Sequence, residues 1–131
     1  MIVAADSHGQ QGIQGRADMK KANLFTELVA TYRKHGWELR RALMQPATLA
    51  EVRSQEAELL ERVEVRESPI DALWFSRPSF QSREAWELRL LEQTQYALFE
   101  TFEADETEPE REEVRLEMEA RLREHVLGKA G

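Results

Sequence analysis

Hydrophobic and polar positions alternate most plainly between Trp86 and Phe102. Trp86, Leu88, Leu90, Tyr96, Leu98 and Phe102 fall on even positions, and Glu87, Arg89, Thr101 and Glu103 on odd ones. Side chains with a period of two point to opposite faces of a strand, so the stretch predicts a hairpin. Its turn is the polar run Glu92, Gln93, Thr94, Gln95, which has no Gly, Asn or Asp to favour a tight two-residue connection and therefore implies a longer loop. Leu88, Leu91, Gln95, Leu98 and Phe102 also fit three-four spacing, so one helix over 83–103 competes with the hairpin. Thr94, Tyr96, Phe99 and Thr101 favour strands.

Before the hairpin, Ile70 to Ser76 is an apolar run with Leu73 and Phe75 facing one way and Ala72 and Trp74 the other. A strand apolar on both sides belongs in the middle of a sheet. Upstream, Leu24, Phe25, Leu28, Val29 and Tyr32 make one stripe of a first helix running from Met19 or Leu24 to Lys34, capped by Asp18 or Asn23 and stopped by Gly36. Trp37, Leu39, Arg41 and Leu43 then alternate as a strand ended by Pro46, and Thr48 with Glu51 predicts a capping box opening a second helix. Leu49, Val52, Leu59, Leu60 and Val63 form its buried side, with Glu58 and Arg62 placed to pair. Val63 to Arg66 reads either as a short edge strand or as the frayed end of that helix.

Thr107 and Glu110 predict a second capping box, with Pro109 in the first turn and Val114, Met118, Leu122 and Val126 as the stripe of a last helix ended by Gly128. Glu117–Arg121 and Glu119–Arg123 would pair on its outer side. The class expected is α+β, a mostly antiparallel four-stranded sheet with three helices in the order α-β-α-β-β-β-α, the helices gathered on one face.

At 131 residues the chain has room for one core, assigned to 18–131. Residues 1–17, with three glycines and little to bury, are expected to be a flexible leader. No run of about 18 apolar residues suggests a membrane span. The first residues lack the basic and apolar regions of an export signal, so a cytoplasmic location is expected. Cysteine is absent, which excludes disulfides and thiolate chemistry. The charge of −7 is lopsided: 1–45 carries seven basic against four acidic residues, and the excess of acid lies beyond. That distribution argues against general nucleic-acid binding.

His8, His35 and His125 are too scattered for a metal or catalytic site, and Gly9, Gly12 and Gly15 lack the strand and the Lys-Ser/Thr ending of a phosphate loop. Asp71 with Glu84 or Glu87 is a conceivable acid pair, but Glu87 and Arg89 read more simply as neighbours on the solvent side of a strand. Catalytic residues, metals and cofactors are therefore not expected. The segment from Trp74 to Phe80 has an arginine among rings, which can hold an anion or simply rest on an aromatic face. The candidate binding residues are Trp37, Trp74, Arg77, Phe80 and Trp86. Arg33, Lys34, His35, Arg40 and Arg41 form a basic segment able to meet an acidic partner or a second copy. The function expected is a non-enzymatic interaction or chaperone-like module that binds a protein partner or forms a homo-oligomer through its sheet and last helix. The alternative is a regulatory domain with a small-molecule pocket around Trp74, Arg77 and Trp86.

Overall fold

The computed structural model describes residues 2–3 and 20–128. Beyond its two-residue strand, the expected leader lies outside the described residues, as does Asp18. The elements are β1 (Ile2–Val3), α1 (Lys21–Lys34), β2 (Glu38–Met44), α2 (Pro46–Glu56), β3 (Glu64–Glu67), β4 (Ala72–Pro78), β5 (Glu84–Leu90), β6 (Ala97–Phe102) and α3 (Glu108–Leu127). The α+β class stands, but the sheet is mixed and has six strands rather than four, the two-residue β1 lying at the β6 edge. The order is β1-β6-β5-β4-β2-β3. All neighbours run antiparallel except β3, which returns through α2 and lies parallel to β2. Glu64 to Arg66 thus belong to an edge strand, with Val63 just before it, and the helix upstream stops at Glu56 in a short 3-10 turn over Ala57–Leu60.

Strand β4 occupies the middle and is buried on both faces, as its two-sided apolar pattern requires. Leu73 and Phe75 join Phe25, Val29 and Val52 in a core beneath α1 and α2. Trp74 turns the other way and packs with Trp86, Leu88, Leu98, Phe102, Met118 and Leu122 beneath α3. The helices therefore cover both faces of the sheet rather than one. β5 and β6 pair from Glu84 opposite Phe102 to Arg89 opposite Ala97, which excludes the single helix over 83–103.

Strand β2 departs from simple alternation. Its register against β4 shifts between Leu39, opposite Phe75, and Arg41, opposite Trp74, leaving Arg40 as the extra residue of a bulge. Leu39, Ala42 and Met44 consequently lie on the α1 side, while Leu43 joins the α3 core. The expected face of Trp37, Leu39, Arg41 and Leu43 is thus split by one inserted residue, and Arg40 and Arg41 both come to the Trp86 ring.

The ends of α1 show local and distant control. Gly36 at φ +88° lets the N–H of Trp37 reach the carbonyl of Tyr32, and its own N–H that of Arg33, closing the helix in a Schellman turn. At the start, Lys20 is the N-cap and offers no side-chain cap; Asn23 lies inside the first turn. The Ala22 N–H donates instead to Glu51 of α2 at 3.0 Å. Glu51 is therefore not the partner of a box with Thr48. The Thr48 hydroxyl donates to Asp71 Oδ2 at 2.9 Å, and Asp71 also accepts from the backbone and side-chain N–H of Gln45, the N-cap of α2. Lys21 completes the junction, 3.1 Å from Asp71.

Asp71 is 1% exposed and joins the starts of α1, α2 and β4. Asp71→Ala strips four donors of their acceptor in a buried place, so chemical denaturation should show a loss of about 3 kcal/mol.

Candidate functional site

The five residues singled out in the sequence do not meet in one cavity. Trp74 is fully buried, its indole N–H donating to Glu119 at 2.8 Å, with Trp86 edge-on at 5.8 Å. Trp37 and Arg77 lie at the α1 end of the opposite face, the guanidinium 4.9 Å from the Trp37 ring and donating to the His35 carbonyl at 2.8 Å. Arg77 thus rests on a ring at the rim, across the sheet from Trp74 and Trp86.

Phe80 occupies the tip of the β4–β5 connection and is 84% exposed. The turn is pinned by the Ser79 N–H to the Arg83 carbonyl at 2.8 Å and by the Arg83 N–H to the Phe80 carbonyl at 3.0 Å. Gln81 and Ser82 both adopt positive φ, 55° and 63°. Two consecutive non-glycine residues in that region cost roughly 1 kcal/mol or more each. Beneath the ring is a hollow of about 610 Å³ between Gly36, Arg77, Pro78 and Phe99. A second, shallower hollow of about 500 Å³ lies on the outer side of α3 between Pro109 and Leu116, with Glu110 and Glu113 on its rim. Leu116 is 47% exposed there.

The α3 face of the sheet holds a dense charged network. Arg41 forks onto Glu112 at 2.6 and 3.3 Å and also meets Glu64 at 3.0 Å. Arg115 is 1% exposed, lies 4.3 Å from the Trp86 ring and 5.5 Å from Phe102, and pairs with Glu108 at 2.6 Å. Desolvation, and then the charge of Arg41, lower the Arg115 guanidinium from its ordinary value. Burial opposes ionisation of Glu112, but the hydrogen bonds and charges of Arg41, Arg115 and Arg66 prevail and hold its carboxyl below the ordinary range. Arg111 meets Glu84 at 3.1 Å, and Glu84 in turn accepts from the Trp86 indole at 2.8 Å.

Glu119 was expected outside, paired with Arg123; it is 4% exposed and receives the Trp74 indole. Arg115 and Glu119 escaped the sequence reading because they are charged. A signal was present: 115, 118, 119 and 122 follow three-four spacing beside the apolar stripe and are the buried positions of α3.

Glu87 and Arg89 lie not in solvent but beneath α1. The Tyr32 hydroxyl donates to Glu87 and its ring stacks on Phe75 at 3.9 Å, while Arg89 is 7% exposed. Burial, reinforced by Glu87, pushes the Tyr32 phenol up; burial likewise raises the Glu87 carboxyl, against the opposing Tyr32 hydrogen bond and the charges of Arg89 and Arg77. The acid pair does not assemble. Phe75 faces Glu87 and Pro78 faces Glu84, so both lie well along β4 from Asp71, which is committed to the helix starts.

His35 contacts the Thr31 carbonyl and His125 stacks on Tyr96 at 3.8 Å, while His8 lies outside the described residues. Among the described residues no group of three or more His, Cys, Asp or Glu could hold a metal ion, and no helix is long and apolar enough to cross a membrane. No family model, curated protein or solved structure matches the chain.

The raised Glu87 value fixes a sign. The native state keeps this proton over a range where the unfolded chain has lost it, so the group's contribution is fully present below the ordinary carboxylate value and is lost as pH rises through the raised one. Glu87→Gln removes that loss, so thermal melts should shift in the variant's favour relative to wild type as pH rises above the ordinary carboxylate value of about 4. A melting-temperature difference that stays constant with pH would show that burial does not perturb Glu87.

Proposed function

We propose that the protein is a non-enzymatic interaction module that self-associates through the Phe80 turn and the outer side of α3. The observation that carries this reading is a large ring left in water on a turn with two strained residues. Backbone strain of this kind persists where the surroundings enforce it, and it gathers at binding and switching sites. The faces of the sheet are occupied by α1, α2 and α3, which leaves the turn and the exposed side of α3 as contact surfaces.

Charge complementarity favours a second copy as the occupant. The Phe80 turn lies beside Arg77 and the His35–Gly36 end of α1, whose last turn carries Arg33 and Lys34. The Pro109–Leu116 hollow is apolar at its floor and acidic at its rim. Burying one phenylalanine stabilises by about 2–3 kcal/mol, too little alone for a lasting complex. A two-fold arrangement makes the same contact twice. The expected species is therefore a weak, reversible dimer.

Sedimentation and light scattering from micromolar to near-millimolar protein should show the mass rising towards twice that of the monomer. Phe80→Ser and Leu116→Glu, both at exposed positions, should each hold it at the monomer. A monomer throughout, or dimerisation indifferent to both variants, would overturn the reading.

A further inference from the structure

We propose that the cleft over Trp86, between β2 and the first half of α3, is a binding site for a phosphoryl dianion. This goes beyond self-association and concerns a different part of the molecule. The cleft has a volume of about 400 Å³ and is lined by five arginines and three glutamates, an excess of two positive charges. The whole chain carries −7. A local cationic surplus in an acidic protein favours anions at that place alone.

Three features of the backbone bring the arginines together. The β2 bulge sets Arg40 beside Arg41, and the helical repeat sets Arg111 and Arg115 one turn apart on α3. Arg62, at φ +66°, comes from the turn before β3. Trp86 lies under the group, with the guanidinium carbons of Arg40, Arg41 and Arg115 at 5.3, 5.8 and 4.3 Å from its ring. An aromatic floor of this kind orients the planar guanidinium groups and excludes water from one side.

The cluster is also incompletely satisfied. The Nε atoms of Arg111 and Arg115 are buried without a hydrogen-bond partner, that of Arg115 standing 3.6 Å from Glu112. Buried donors of this kind are uncommon and point to a missing acceptor. Arg40 donates to the Ser76 hydroxyl at 3.1 Å, and among the described residues neither it nor Arg62 has a carboxylate within ion-pair distance. The close carboxylate of Arg115 belongs to Glu108, whose side chain is 69% exposed. An exposed glutamate in the first turn of a helix can swing into water, and an incoming oxyanion can take its place on the Arg115 fork. Donors arriving from β2, α3 and the preceding turn suit a tetrahedral dianion better than a planar monovalent carboxylate, which one guanidinium fork would satisfy.

The test follows the arginine Nε–H signals of the full chain by proton–nitrogen NMR during titration with inorganic phosphate at mildly alkaline pH and constant ionic strength, with acetate as control. The expected result is a saturable shift at Arg111 and Arg115 with phosphate and none with acetate. Arg40→Gln should weaken phosphate binding about tenfold, and Glu108→Gln, which removes the competing carboxylate, should strengthen it several-fold. Both side chains are exposed, and unchanged melting curves would verify that the fold is intact. A sugar monophosphate in a parallel arm identifies the source: tighter binding than phosphate assigns the site to a phosphate ester, equal binding to the free anion. A shift that does not saturate, an equal response to acetate, or both variants titrating as wild type would overturn the proposal.

Discussion

Strand β4 has no face to offer water, and the architecture follows from that constraint. Phe75 needs α1 above it and Trp74 needs α3 below, so a chain this short must place helices on both sides of one sheet. The indole of Trp74 adds a condition, since a buried N–H requires an acceptor. Glu119 supplies it from α3, with Arg66 of β3 3.7 Å from its other oxygen. The helix is thus held by a directed bond as well as by its apolar stripe, and its rotation about its own axis is set.

That rotation decides what else reaches the sheet. With Glu119 turned inward, Arg115 one turn earlier comes over Trp86 and Arg111 over Phe102. From the other side, the bulge of β2 delivers Arg40 and Arg41 to the same ring. Gathering guanidinium groups in a partly dry space is unfavourable unless carboxylates accompany them. Glu64, Glu84, Glu108 and Glu112 do so, Glu64 and Glu108 being the most exposed of the four.

What could be read from the residues alone was local in origin. The two faces of Ile70 to Ser76, the β5–β6 hairpin, the glycine stop at Gly36 and the Thr107–Glu110 box each depend on a few neighbouring positions, and each is present. What escaped depends on distant partners. Thr48 and Glu51 carry the spacing of a capping box, yet one serves Asp71 and the other the start of α1. The bulge at Arg40 leaves no mark, because an inserted charged residue looks like ordinary alternation until the opposing strand is known. The candidate residues lie apart for the same reason: Arg77 is near Trp74 along the chain, but strand geometry sends them through opposite faces.

The order of strands carries a consequence for assembly. From β2 to β6 the sheet is built by one contiguous stretch, so each strand finds its neighbour within a short length of chain and the ladder can form without waiting for either end. β1 is the exception: Ile2 lies opposite Leu98, and its ladder partner is synthesised only after every other strand exists. It can join only a finished edge, closing a loop that spans most of the polypeptide for two residues of pairing. Thermodynamically it is the loosest rung, the one whose departure leaves every other hydrogen-bonded ladder undisturbed.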